Sequence, residues 1–346
     1  MSSERVRVGI LYTGGTFGMV DGGAGMRPRS GLAAEISEMV AEFESAAGVS
    51  VDVRYREFDQ VIDSALAEAG TACRIAATVR AGIASDEPDG VIVVHGTDTM
   101  AYIGARMAFE LRDSAIPVVL TGAQIPLGQP GSDARSNLHL ALATIVGQPA
   151  PGTYLAFGSR LHPAVRASKR AIEDYDGFTT IGECTPPPVP PALPVRHGTG
   201  APVGLLTVFP GLHAELLDAA LRHYRGGLVL ECYGAGTAPD LAEPVRVATG
   251  RGTPVVVISQ CDSGSVDLGR YQPGRALLDA GALSGGDMTR EAALAKLSYL
   301  VDHGFGGVEL RHWMVTNLLG ELANNPAAPD VSSSAADNDS NSWSYP

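Results

Sequence analysis

Apolar positions in this chain fall in short dense runs separated by longer stretches of helical spacing. "VRVGILYT" (6–13), "GVIVVHGTDT" (90–99), "IPVVLTGAQ" (116–124) and "GTYLAFGSR" (152–160) are apolar without strict alternation, as strands buried on both faces are. Between them, residues 31–47, 71–85, 99–114 and 132–148 repeat apolar residues every three to four positions and predict helices. Strands alternating with helices predict a parallel sheet covered on both sides, joined by right-handed crossovers.

The proline-rich stretch "ECTPPPVPPALPVRHGTGAP" (183–202) interrupts this rhythm. Its prolines remove backbone donors and fix φ, so it predicts a linker. The alternation then resumes. "VGLLTVFPG", "GGLVLECYGAGT" and "TPVVVISQCDSG" read as strands, and "AELLDAALRHY" and "TREAALAKLSYLVDHG" as helices. The predicted fold class is α/β, with a larger N-terminal, mostly parallel sheet domain and a smaller C-terminal α/β domain. The expected boundaries are a catalytic domain over 1–185, a linker over 186–203, a second domain over 204–323 and a disordered tail over 324–346, rich in Ser, Asp and Asn.

Composition narrows the partners. The chain has 346 residues, 45% of them hydrophobic, which is enough for two sizeable cores. Its formal net charge of -13 argues against nucleic acid or an anionic membrane surface, since both require a basic footprint. Cys73, Cys184, Cys232 and Cys261 form no CxxC pair, which predicts free thiols in a reducing compartment. The N-terminus "MSSERVRVGI" has no long apolar segment and no run is long enough to span a bilayer, so the expected location is cytoplasmic.

In an open parallel sheet, ligands bind at the carboxyl ends of the strands. Here those ends carry Thr13-Gly14-Gly15-Thr16, His95-Gly96-Thr97-Asp98-Thr99 and Thr121-Gly122-Ala123-Gln124, with Ser159-Arg160 leading toward Lys169. Each has a plainer explanation. TGGT suits a sharp turn, GTDT a helix N-cap, "RASKRAIED" a solvated charged face and His95 a core histidine. "TGGTFG" is neither G-x-G-x-x-G nor followed by GK[ST], no G-x-S-x-G elbow is present, and the eight histidines show no metal spacing. What survives is threonine chemistry. A threonine hydroxyl needs a base or a nearby cation to act as a nucleophile, and a Thr97–Lys169 pair supplies one. Asp98 would hold the lysine or a substrate ammonium, and glycine-turn N–H groups would stabilise an oxyanion. Such an assembly suits the splitting of an amide.

"YTGGTFGM", "VVHGTDTMAY", "VVLTGAQIPL", "SDARSNLHLAL", "ISQCDSG" and "GGDMTREAALAKLSYL" together resemble the bacterial-type L-asparaginase family, nearest its cytoplasmic type I members. The resemblance runs from Val6 to about Leu322. It implies a two-domain fold, no cofactor and no metal, a small-molecule amide substrate, and an active site near the interface of a homodimer or dimer of dimers. It casts Thr16 as the nucleophile of an acyl-enzyme, and Thr97, Asp98 and Lys169 as the group that activates water. It places Asp63, Ser64, Gly96 and Ala123 around the substrate, with Ser64 at its α-carboxylate and Asp98 at its α-ammonium.

Four positions depart from the family pattern. Met26 stands where a mobile-loop tyrosine is expected, and a thioether cannot relay a proton. Ala65 stands where type I enzymes carry a polar residue, and Thr237 where the family carries asparagine. Glu231 replaces a basic residue near the type I regulatory site. The expected function is hydrolysis of L-asparagine to L-aspartate and ammonia. The alternative is an amidase on a related, larger amide, accommodated by Met26 and Ala65. A non-catalytic small-molecule binder is a third reading, against which the retention of Thr16, Thr97, Asp98 and Lys169 counts.

Overall fold

The computed structural model describes residues 5–187, 191–194, 198 and 200–323. The expected tail over 324–346 and the linker positions 188–190, 195–197 and 199 lie outside the described residues. What is described of the chain between Glu183 and Pro202 holds no helix or strand.

The N-terminal domain starts with β1 (Val6–Gly14), a small hairpin of β2 (Met19–Asp21) and β3 (Met26–Pro28), helix α1 (Ala33–Ala47) and strand β4 (Val51–Ile62). It continues through α2 (Thr71–Asp86), β5 (Gly90–Val94), α3 (Met100–Glu110), β6 (Pro117–Thr121), α4 (Ala134–Val146), β7 (Gly152–Phe157) and β8 (Arg160–Pro163). The sheet runs in the order β4-β1-β5-β6-β7-β8. Five strands are parallel, and β8 turns back antiparallel at the edge. Every residue of β5 and β6 is buried, which is why both segments are apolar up to Thr121 at the end of β6. β4 is the one long strand that the apolar runs do not announce. It is an edge strand in which Arg54 and Arg56 are interspersed with apolar residues, because only one of its sides is paired. A two-stranded ribbon of β9 (Ala167–Lys169) and β10 (Phe178–Thr180) carries the chain toward the second domain.

The C-terminal domain is a four-stranded parallel sheet of β11 (Val203–Thr207), β12 (Gly227–Cys232), β13 (Val255–Ser259) and β14 (Leu283–Ser284), in that order. Helices α5 (Ala214–His223), α6 (Ala242–Gly250), α7 (Gln272–Asp279), α8 (Arg290–Asp302) and α9 (Gly307–Val315) accompany it.

Besides a core of its own, each domain contributes to one apolar cluster that spans both. α3 packs against α8, and Val93, Phe109 and Leu120 join Val256, Leu297 and Leu300 in a single apolar cluster. Each such large side chain contributes about 1.5–3 kcal/mol on burial. Two buried arginines lock the junction. Arg106 donates to Ser298 Oγ at 2.7 Å and Asp302 Oδ2 at 2.8 Å. Arg166 donates to the Gly320 carbonyl at 2.7 Å and pairs with Asp287 at 3.0 Å. A charged group buried without a partner is costly, so these pairs specify how the domains dock.

Candidate active site

The strand order places a switch point between β1 and β5. From β1 the chain moves outward to β4 on one side, then returns to β5 on the other, the reversal of strand order at whose carboxyl ends ligands bind in open α/β sheets. The TGGT turn ends β1 and HGTDT follows β5.

The glycines of these turns are required by backbone packing. A Cβ on Gly14, whose φ is +120°, would lie 2.2 Å from the Ile62 carbonyl oxygen. One on Gly15, whose φ is +81°, would lie 2.2 Å from Gly96 Cα, and one on Gly96 would lie 2.4 Å from Ser64 Oγ. The ends of β1, β4 and β5 therefore approach closely, main chain on main chain at Gly14–Ile62 and Gly15–Gly96 and against the Ser64 side chain at Gly96, which gathers Thr16, Ser64 and Thr97 at one place. Gly15→Ala is expected to cost more stability than Gly31→Ala. Gly31 has φ +82° but open space around it, so its variant bears only the φ strain, about 1–3 kcal/mol. Comparing denaturant midpoints of the two variants isolates the collision of Gly15 with Gly96.

Around this seam the polar side chains form a chain of contacts. Lys169, on β9, donates to Thr97 Oγ1 at 2.8 Å and Asp98 Oδ1 at 2.7 Å. Its side chain is only 18% exposed, whereas that of Asp98 is 61% exposed, so Lys169 is not part of a solvated face. Thr97 is buried, and its hydroxyl donates onward to Gln124 Oε1 at 3.2 Å. Thr16 is half-buried and opens the short 3-10 turn Thr16–Gly18.

His95 is fully buried, and burial pushes its pKa down to about 4. Thr13 donates to the Val94 carbonyl at 2.9 Å, so its oxygen accepts from His95 Nδ1 at 2.7 Å. Nε2 of the neutral ring lies 3.3 Å from Thr99 Oγ1. His95 is a buried core residue held through Thr13. Thr99 occupies the N-cap position of α3, yet its side chain makes no capping bond. Its hydroxyl donates to the Ser64 carbonyl at 3.0 Å, binding the β4 and β5 loops together.

The residues expected around a substrate are placed as follows. Asp63 accepts from the Ala65 N–H at 3.0 Å and caps the turn that presents Ser64. Ala123 is fully buried, with its methyl group in the apolar core. Met26 is 41% exposed on β3, opposite Asp21 in the hairpin, and β3 packs on the Thr16–Gly18 turn. Thr237 lies in the C-terminal domain, where its hydroxyl folds back to the Tyr233 carbonyl at 3.4 Å. Glu231 is buried and pairs with Arg290 at 2.7 Å and Thr207 Oγ1 at 2.7 Å. It lines an interdomain cavity of about 190 Å³, together with Ser168 and Arg170 of the first domain.

Three supporting residues carry no role in the sequence reading. Gln124, Asp133 and Asn137 fix the loop after β6. The Asp133 carboxylate accepts from the main-chain N–H groups of Gln124 (2.9 and 3.0 Å) and Ile125 (3.0 Å) and from Asn137 Nδ2 (2.9 Å). Asn137 donates to the Gly122 carbonyl and accepts from the Gly158 N–H, both at 3.0 Å. A signal for Asn137 exists in the sequence. It falls on the buried stripe of α4, with Ala134, Leu138, Ala141, Leu142 and Ile145, where a polar residue needs partners.

A two-domain α/β fold whose switch-point crevice holds hydroxyls, a lysine and a carboxylate defines an amidohydrolase of the asparaginase type. The chain belongs to the asparaginase family: residues 7–186 match the N-terminal asparaginase domain and 202–314 the glutaminase/asparaginase C-terminal domain. L-asparaginase 1 of Escherichia coli K12 is 33% identical over 92% of this chain and 98% of its own length. The 60 kDa lysophospholipase of Homo sapiens is 32% identical over 91% of this chain and 61% of its own length. The crystal structure of L-asparaginase I from Vibrio cholerae superposes with a TM-score of 0.78 at 31% identity, covering 92% of this chain and all of that one.

Proposed function

We propose that this protein hydrolyses the side-chain amide of L-asparagine to L-aspartate and ammonia. The observation that carries the reading is Lys169 Nζ bridging Thr97 Oγ1 and Asp98 Oδ1 beside the Gly15–Gly96 seam that delivers Thr16. Thr16 Oγ attacks the amide carbon, ammonia leaves with the transferred proton, and an acyl-enzyme remains. Water, oriented by Thr97 and Lys169, attacks the acyl carbon and frees L-aspartate and the Thr16 hydroxyl. The open carboxylate of Asp98 receives the substrate ammonium, and Ser64, held by the Asp63 turn, receives its α-carboxylate. The reaction needs no cofactor. The resemblance to L-asparaginases and the four free thiols support a cytoplasmic setting. Among the described residues, no helix is long and apolar enough to cross a membrane.

A homodimer or dimer of dimers fits the rim of the site. Leu66, just after Ser64, is 77% exposed, and Ile172, just after Lys169, is 81% exposed. A second copy seated there would cover them.

The second reading, a larger amide as substrate, rests on the same rim and on exposed Met26 and Ala65. Release of ammonia or amine from L-asparagine, L-glutamine and amides with apolar substituents decides between them. Fast turnover of L-asparagine supports the first reading. Turnover confined to substituted amides transfers the assignment to the second, and no turnover of any of them overturns both.

A further inference from the structure

We infer that Gln124 is a positioning residue of this amide hydrolysis, orienting the Thr97 hydroxyl toward Lys169 and fastening the segment that follows Lys169. The inference rests on the proposed threonine–lysine chemistry and adds a residue to it.

Thr97 has one hydroxyl proton and two lone pairs. Its proton points at Gln124 Oε1, 3.2 Å away, which turns a lone pair toward Lys169 Nζ, 2.8 Å away. Without that acceptor, the Thr97 proton is free to rotate toward the ammonium and meet it donor to donor. The other end of the same amide donates to the carbonyls of Ala171 at 3.2 Å and Asp174 at 3.3 Å. Both carbonyls lie in the loop that starts directly after Lys169. Gly177 has no side chain where a Cβ would sit 2.5 Å from Gln124 Nε2, so the loop is shaped around this amide. The main chain at Gln124 is fixed in turn, since its backbone N–H donates to both oxygens of the buried Asp133 carboxylate. One side chain thus links the loops after β5, β6 and β9. A misplacement of about 1 Å in such a site costs on the order of 100-fold in rate.

The test uses the full-length protein with Gln124→Met and Gln124→Glu. Methionine keeps the length and removes both hydrogen-bonding functions. Glutamate keeps the acceptor for Thr97 and loses the donors to the loop. Gln124→Met is expected to lower kcat on the best amide of the panel by about 10- to 100-fold, with KM changed less than about 3-fold. Gln124→Glu is expected to recover part of that kcat with an altered pH profile. Crystal structures of the two variants supply a second readout, with the Thr97–Lys169 contact broken in Gln124→Met and kept in Gln124→Glu. Wild-type kcat in Gln124→Met, or equal kcat losses in both variants with the Thr97–Lys169 contact intact, overturns the inference. If the wild-type protein turns over no amide, the proposed activity fails, and the crystallographic contact alone decides the role of Gln124.

Discussion

Thr16→Ala is expected to reduce amide hydrolysis by about 10⁴-fold or more while leaving the protein folded, because removal of a nucleophile eliminates the covalent path itself. The structure explains why the fold should tolerate the change. Thr16 is half-buried at the start of a short turn whose neighbours Phe17 and Gly18 are buried, and the seam at Gly14, Gly15 and Gly96 is built of main chain. An unchanged melting temperature with lost activity assigns the nucleophile. A second signature is available by mass spectrometry: a trapped acyl adduct on wild type and none on Thr16→Ala. Thr16→Ala with near wild-type kcat would move the nucleophile elsewhere, and Thr97, whose hydroxyl accepts from Lys169, is the next candidate.

Lys169→Met is the second large effect. Methionine keeps most of the length and apolar stem but removes the donor to Thr97 Oγ1 and Asp98 Oδ1. Loss of a positioned acid–base group typically costs 10²–10⁴-fold, and about 10³-fold in kcat is expected here. Lys169→Arg separates two roles. Arginine keeps the charge for Asp98 but does not release a proton near neutral pH, and its planar fork does not match a site built for a point donor. If Lys169 moves protons, Arg and Met variants are about equally slow. If Lys169 serves only as a fixed charge, the arginine variant recovers most of the rate. Steady-state kcat with pH profiles for the three proteins distinguishes the outcomes. Little change in thermal stability is expected from the loss of the ion pair, since the Asp98 side chain is 61% exposed and water can solvate the freed carboxylate.

Much of this fold is legible from local patterning because its central strands are buried on both faces. Every position of β5 and β6 is buried, and all are apolar except Thr121 at the end of β6. Helix α1 shows its stripe, Ile36, Met39, Val40 and Phe43, because only one of its faces is buried. β4 escapes because an edge strand need not be apolar, and Arg54, Arg56 and Asp59 disguise its strand character. The short ribbon of β9 and β10 escapes too, although it carries Lys169, because three residues per strand are too few for any periodicity to register.

The candidate site divides in the same way. Its residue types, two hydroxyls, a carboxylate and a lysine at or beyond strand ends, follow from the chain order, because a parallel sheet gathers all such ends at one edge. Their division of labour depends on contacts between segments far apart in sequence. Lys169 sits in a charged run, and only packing makes it a half-sequestered donor to Thr97. Thr99 stands where a cap is expected, but a loop from β4 comes close enough to take its hydroxyl. Gln124 looks like an ordinary turn residue until the Lys169 loop folds around its amide. Element type and strand ends are consequences of local burial periodicity, which a linear chain records. Hydrogen-bond direction and close backbone approach, such as Gly15 on Gly96, arise only when remote segments meet in space.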